Sequence, residues 1–311
     1  MINAFMTIDG VLTPVSELTK GCWVNMVSPN VDELTEISEK YHIDMDDLKA
    51  PLDDEERSRV EVEDDYTMIL VDIPIVEERN NKDWYGTLPI GIFYVNDALI
   101  TVCLQETPVL KGFMDGKVKG FSTNMRTRFI LQILYKNASL YLQYLRAIDK
   151  KTEEIENILH GSMKNKELMQ LLELEKSLTY FTTSLKGNEV VLERLLRTDR
   201  VKKYPEDTEL LEDVIIENKQ AIEMANIYSD ILNGMMGTFA SVISNNLNIV
   251  MKLMAALTIV LSIPTMISGL YGMNIHGMPF EDNPYGFWFV FAFAMAIAIA
   301  VAIWFKKKDM F

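Results

Sequence analysis

The chain has 311 residues, 49% of them hydrophobic, and carries 45 acidic against 30 basic side chains, a formal net charge of -15. Nucleic-acid binding needs a basic footprint, so this balance excludes it as the expected partner. An acidic chain suits either a cationic partner such as a metal ion or simple solubility.

Residues 1–120 read as a small α+β/α/β cytosolic domain. Met1 to Gly10 has no basic stretch followed by an apolar run, so no cleaved signal peptide is expected. β-rich runs occur at Cys22–Val27, Thr67–Val76, Pro89–Val95 and Leu99–Leu104. Asn96-Asp97 between the last two is a tight-turn signal and predicts a hairpin. Val31 to Lys40 predicts a helix capped by Asn30, with Asp32 and Glu33 in its first turn. The only cysteines, Cys22 and Cys103, lack metal-ligand spacing and read as reduced core residues. Two acidic clusters, Asp53 to Glu56 and Glu61 to Asp65, could hold a divalent cation. They lack the alternating ligand pattern of a dedicated calcium loop, and solvated loops are the plainer reading.

Residues 121–204 change to helical spacing. Phe129, Ile130, Ile133, Leu134, Leu140, Tyr141, Leu145 and Ile148 recur on one face, and Gly161-Ser162 makes a break. Leu168, Leu171, Leu172, Leu178, Phe181 and Leu185 then resume the pattern, which predicts an antiparallel helical hairpin. Pro205 suits the first position of a new helix, with Glu206 and Asp207 at its positive end. Residues 205–273 are expected to form one stalk helix, roughly 100 Å long at 1.5 Å per residue, that continues into a first transmembrane segment.

Leu253 to Met273 and Tyr285 to Phe305 are uncharged stretches of 21 residues each. A bilayer core needs about 20 such residues in a helix, so each can cross once. The connector 274–284 contains Glu281 and Asp282 and no Lys or Arg, whereas Lys252 precedes the first span and Lys306–Lys308 follow the second within 285–311. Positive residues stay inside. A multi-pass protein of the cell membrane is expected, with both termini cytoplasmic and a short acidic extracytoplasmic loop. Two helices cannot enclose a polar pathway alone, so transport would need an oligomer.

One face of the long helix stands apart. Gly234, Gly237, Ser241, Ser244, Asn248, Met251, Ala255, Thr258, Ser262, Thr265, Gly269 and Gly272 follow at alternating steps of three and four. That is the near-heptad repeat of a seam between supercoiling helices. A soluble coiled coil would place Leu and Ile there; these residues are mostly small or neutral-polar. Either they let membrane helices pack closely, or they line a water-filled path. Between Asp230 and Glu281 there is no Asp, Glu or Cys, and one His, His276. A path that strips a transition metal would want imidazole or thiolate. Magnesium keeps its waters, which neutral oxygens can hold without trapping the ion.

Tyr271-Gly272-Met273-Asn274, at the outer end of the first of two carboxy-terminal spans, resembles the signature of the CorA-type magnesium transporters, the metal ion transporters with the Gly-Met-Asn motif. Ser244-Asn245-Asn246-Leu247-Asn248, Ile263-Pro264-Thr265, Met278-Pro279 and Lys306–Lys308 extend the match, as does the order of parts along the whole chain. The resemblance implies a funnel-shaped homopentamer whose first spans ring a pore. It implies that Gly272, Met273 and Asn274 hold a hydrated ion at the outer mouth and that Asn248, Thr265 and Gly269 line the path. It further implies that Met251 and Met254 form a hydrophobic constriction. Asp213 matches a family acid that helps bind inhibitory magnesium; the plainer reading is a solvated acid on an acidic helix. Where many relatives carry an acid in the seam near the cytosolic end, this chain has Gly237. The expected function is passive, potential-driven magnesium transport with feedback closure by cytosolic magnesium. Its partners would be the membrane, a divalent cation and further copies of the chain. No cofactor and no enzymatic step are expected, with magnesium itself as transported and regulatory ion. The alternatives are another divalent ion (cobalt, nickel or zinc), or a membrane-anchored sensor or scaffold, which would explain neither the tetrapeptide nor the stripe.

Overall fold

The computed structural model describes residues 1–79, 82–161, 165–198, 204–273, 277–280 and 283–308. The chain divides into two units, Met1–Gly234 and Met235–Phe311.

The amino-terminal unit is built on one sheet. Its strands are β1 (Ile2–Ile8), β2 (Val11–Val15), β3 (Cys22–Val27), β4 (Arg59–Val62), β5 (Tyr66–Arg79), β6 (Lys82–Val95) and β7 (Ala98–Cys103), in the order β2-β1-β3-β7-β6-β5-β4. All pairings are antiparallel except β3 with β7, which run parallel from Cys22 opposite Ala98 to Val27 opposite Cys103. Two antiparallel halves therefore meet at one parallel seam. Both seam strands are buried along nearly their whole length, as parallel strands covered on both faces must be. A polar chain spans the seam: Trp23 Nε1 donates to Thr101 Oγ1 at 2.9 Å, and Thr101 Oγ1 donates to Asn25 Oδ1 at 3.0 Å. The predicted hairpin turns at Asn96-Asp97, and Cys22 and Cys103 are free and buried.

Helices α1 (Val31–Tyr41) and α2 (Met45–Lys49) cover one face. Asn30 Oδ1 accepts from the Glu33 N–H at 2.8 Å, and Glu33 Oε2 accepts from the Asn30 N–H at 2.9 Å. This reciprocal capping box satisfies two backbone donors. It orients Leu34 and Ile37 toward Val24, Met26, Phe93 and Ile100. The other face is covered by α3 (Pro108–Met114), α4 (Arg126–Gly161), α5 (Asn165–Arg197) and the first turns of α6 (Pro205–Tyr271). Phe113, Phe129, Ile133, Val191, Leu195, Leu211 and Val214 pack there on Trp23, Ile69, Val71 and Leu99. Helices α4 and α5 are antiparallel, since Asn137 and Asn188 meet at Asp72 while, later in α4 and earlier in α5, Tyr141 packs on Phe181 at 5.1 Å.

How α5 docks explains an otherwise odd Gly187-Asn188 in mid-helix. The β4 ladder begins at Arg59 opposite Leu70, so Asp72, two residues on and facing the same side, lies beyond its end and its backbone N–H and C=O have no strand partner there. Asn188 supplies what the strands do not. Its Oδ1 accepts from the Asp72 N–H and its Nδ2 donates to the Asp72 carbonyl, both at 2.8 Å. Asn137 Nδ2 at 2.8 Å and Tyr141 OH at 3.2 Å donate to the same carbonyl. A Cβ on Gly187 would stand 3.2 Å from Ser58 Oγ, and that hydroxyl donates to Asn188 Oδ1 at 3.1 Å. Burial pushes the Asp72 carboxyl above the usual carboxylate range, and a hydrogen bond from Ser184 pulls it partly back. At the start of α6, the fully buried Asp207 accepts from Thr127 Oγ1 at 3.1 Å and Arg128 Nε at 3.3 Å. This ties the first turn of α6 to that of α4.

The carboxy-terminal unit contains the remainder of α6, the connector and α7 (Gly286–Lys307). Both helices are long and apolar enough to cross a membrane. They run antiparallel around a cavity of about 720 Å3 lined by Pro264, Ile267, Tyr271, Gly286, Val290 and Ala294, among others. The described part of the connector is tied to both. Tyr271 OH donates to the Pro279 carbonyl at 3.2 Å, and the Phe280 ring stacks on Phe289 at 5.8 Å. Phe280 has φ 67°, and its carbonyl oxygen lies 2.3 Å from where a Cβ on Gly286 would be. Only glycine opens α7 without moving that backbone.

Candidate functional site

An α-helix turns about 100° per residue, so positions three and four apart stay close in azimuth. From Gly237 to Gly272 the eleven stripe positions fall within a window about 140° wide, drifting about 20° per seven residues, as a straight helix does against a heptad. The residues facing α7 lie elsewhere. Ala256 is fully buried, and Val260, Ile263, Pro264 and Ile267 are partly buried. Their mean azimuth is roughly 160° from the stripe. Thus α7 covers one side of α6 and leaves most of the stripe uncovered on the other, while near the connector Thr265 and Gly272 also border the cavity between the two helices.

Along that uncovered side, Asn248, Met251, Ala255, Thr258, Ser262, Thr265, Gly269 and Gly272 are all exposed in the chain. Met251 is on the line of the stripe, and Met254 flanks it by roughly 60°. Both are about three-fifths exposed, at 61% and 58%. Four of the hydroxyls bond back to the preceding turn. Ser241, Thr258 and Thr265 donate to the carbonyls of Gly237, Met254 and Leu261 at 3.1, 2.8 and 3.0 Å, and Ser262 donates to Ile259 at 2.8 Å. With each proton committed to the helix, the oxygen offers lone pairs outward. A row of acceptors suits water whose oxygens are bound to a cation, because such water presents its protons. Lys252, one residue and about 100° from Met251, is the one charge in α6 beyond Asp230.

At the connector end the backbone turns inward on itself. The N–H of Gly272 reaches the carbonyls of Ser268 and Gly269 at 3.0 and 3.3 Å, and the Met273 N–H reaches that of Leu270 at 3.3 Å. Helix α6 ends at Tyr271, two residues earlier than the spacing predicts. Met273 is half-exposed, at 51%. Asn274 and His276 lie outside the described residues.

Asp213 belongs to the amino-terminal unit and is exposed between the buried Leu211 and Val214. In the acidic clusters, Arg59 takes up two carboxylates, Glu56 and Glu61, each at 2.6 Å. Among the described residues no three His, Cys, Asp or Glu side chains converge as a metal site within the chain. The structure thus brings Asn248, Met251, Thr265 and Gly269 onto one face of α6, with Gly272 in the turn that follows it. The anchoring of the connector through Tyr271, Phe280 and Gly286 escaped the sequence reading. A glycine two residues after Pro284, opening an aromatic helix, was its one signal.

The chain is similar in sequence and fold to known proteins. The Cobalt/magnesium transport protein CorA of Methanocaldococcus jannaschii is 29% identical over 277 residues, covering 86% of this chain and 84% of that protein. The complete structure of the CorA magnesium transporter from the same organism superposes with a TM-score of 0.83 at 27% identity, over 99% of this chain and 98% of that one. The full-length CmaX structure shares the fold with a TM-score of 0.71 at 13% identity, over 99% and 97% of the two chains. Residues 19–307 match the family described as CorA-like Mg2+ transporter protein, and the chain belongs to that family.

Proposed function

We propose that the protein is a passive, membrane-potential-driven channel for magnesium, closed by magnesium on the cytosolic side and working as a homopentamer in the cell membrane with both termini inside. One observation carries the reading: the face of α6 that α7 leaves uncovered is uncharged, small and studded with outward acceptor oxygens, and leads to Gly272-Met273-Asn274. Five such faces around an axis would make a path that holds a hydrated ion by its waters. Gly272, Met273 and Asn274 would receive the ion, Asn248, Thr265 and Gly269 would line its way, and Met251 with Met254 would narrow it. The potential supplies about 2.3 kcal/mol per charge per 100 mV, hence about 4.6 kcal/mol for a divalent ion, and no chemical step is required. Asp213 and its acidic neighbours would sense internal magnesium. Cobalt is a second candidate ion, because the Methanocaldococcus jannaschii relative is described as a cobalt and magnesium transport protein.

The test is ion uptake into proteoliposomes of the full-length protein under an imposed negative-inside potential, comparing magnesium, cobalt, nickel and zinc. Potential-dependent magnesium uptake is expected. No divalent uptake above empty vesicles would overturn the proposal, and preference for zinc or nickel would reassign the ion.

A further inference from the structure

The end of the carboxy-terminal unit away from the connector collects positive charge. Ile267 and Val290 line the same two cavities and so mark one level along the helix pair. From Ile267 back to Lys252 is about 22 Å at 1.5 Å per residue, and from Val290 on to Lys306 about 24 Å. Lys252 therefore stands at the level where Lys306, Lys307 and Lys308 end α7, and all four are exposed. The helices still pack near this level, where Ala256 is 0% and Phe305 5% exposed. Beside the lysines Trp304 is 56% exposed. The acids of residues 235–311 are Glu281 and Asp282 in the connector at the far end, and Asp309 next to the lysines, leaving a net charge of about +3 on this rim.

We propose that this rim binds the phosphodiester headgroups of anionic phospholipids in the leaflet it meets. Lysine suits the task, since its hydrocarbon stem lies along the apolar span while the ammonium reaches the headgroups. Clusters of four or more cations beside a membrane helix attract anionic lipid, and an adjacent tryptophan anchors at the interface. Lys252 is turned off the stripe, so the rim holds lipid phosphates without adding positive charge to the proposed ion path. The inference rests on the two spans crossing a bilayer, and not on the identity of the ion or on gating.

The test uses the full-length protein reconstituted in phosphatidylcholine with stepwise phosphatidylglycerol. The lipids retained after mild detergent extraction are counted by native mass spectrometry. The parent is expected to retain phosphatidylglycerol over phosphatidylcholine by about fivefold or more, the factor that one well-placed lysine gives. The preference should weaken as salt rises. Replacing Lys252, Lys306, Lys307 and Lys308 by Gln should bring it to parity. Replacing Lys49, Lys111, Lys119 and Lys150 by Gln should leave it intact. The fourfold Lys→Arg variant should keep it, and the milder Lys307→Gln/Lys308→Gln pair should lower it if the fourfold variant does not fold. Equal retention by parent and Gln variants would overturn the proposal. So would a Gln variant destabilised in pure phosphatidylcholine while the parent shows no lipid preference, which would assign the lysines to the protein's own carboxylates. Magnesium uptake in the same vesicles reports separately: lost uptake with an intact lipid preference counts against the transport reading alone.

Discussion

Asn188→Ala is the sharpest test of how the helical hairpin is fastened to the sheet. Asn188 is 3% exposed and closes both backbone bonds that Asp72 cannot make to β4. Truncation leaves the partly buried Asp72 N–H without its acceptor, a cost of about 2 kcal/mol. The Asp72 carbonyl keeps Asn137 and Tyr141, so the loss on that side is about 0.5 kcal/mol. The small cavity and lost contact with Ser58 add about 0.5 kcal/mol. The total is about 3 kcal/mol, or a fall in Tm of about 6–12 °C for a unit of this size. The assay is thermal unfolding of the detergent-solubilised protein followed by tryptophan fluorescence. Trp288→Phe and Trp304→Phe leave Trp23 and Trp84 as reporters, and Trp23 is fully buried in the sheet. Asn188→Asp keeps the acceptor, loses the donor and adds a charge beside a carbonyl, and should unfold lower still at neutral pH. A fall of less than about 2 °C for Asn188→Ala would refute the reasoning, and would mean that apolar packing alone holds α5 on the sheet.

Asp72 itself should set a pH dependence. Its folded proton is held above the ordinary aspartate range, so between the unfolded and folded values the native state binds more protons; stability falls as pH rises through that window and stays lower above it. Asp72→Asn should therefore raise Tm at pH 7, with the gain vanishing below about pH 4, where the unfolded carboxyl is protonated too; a constant difference at all pH values would contradict this. Single cysteines at Ser262, Thr265 and Gly269 should react with water-soluble thiol reagents in the open state, while Leu261→Cys and Ile267→Cys should not; equal labelling would return the stripe to mere packing. Gly286→Ala must displace the Phe280 carbonyl and should cut magnesium uptake at least tenfold, about 1.4 kcal/mol of misplacement at the outer mouth; parent-like uptake by the assembled variant would show that the connector's anchoring is dispensable. Asp213→Ala should move the inhibition curve for internal magnesium to higher concentration without changing ion preference, and superimposable curves would leave Asp213 a solvated acid.

What the sequence disclosed was local or periodic. The cap at Asn30 and the turn at Asn96-Asp97 depend on a few neighbouring residues, and both stand in the structure. The long helices and the stripe depend on repeats of 3.5 to 3.6, which survive any tertiary setting. Strands β1, β2 and β4 were not anticipated. They form the edges and near-edge of the sheet, where Asn3, Thr13 and Glu61 break the apolar run, and pairing with a neighbouring strand, not their own pattern, makes them strands. Asn188 was equally silent, because its role depends on where β4 stops. At the site, the composition of the uncovered face was legible, whereas the side that α7 covers was not: aromatic residues lie all round α7, so its own sequence does not say which face meets α6.

The parallel seam has a consequence for how the molecule forms. Strands β4 to β7 are joined by short antiparallel turns and can zip in sequence, as can β1 with β2. Joining β3 to β7 instead requires the chain to close the whole stretch from Val27 to Ala98, an entropic cost that only simultaneous burial on both faces offsets. The sheet should thus assemble as two pre-formed halves that dock late. The Trp23–Thr101–Asn25 chain is a check on that docking: a slip of one residue would turn Thr101 to the opposite face and strand three buried polar groups at once. In hydrogen exchange, amides of β3 and β7 at the seam should open together, as the single joint whose release divides the amino-terminal unit.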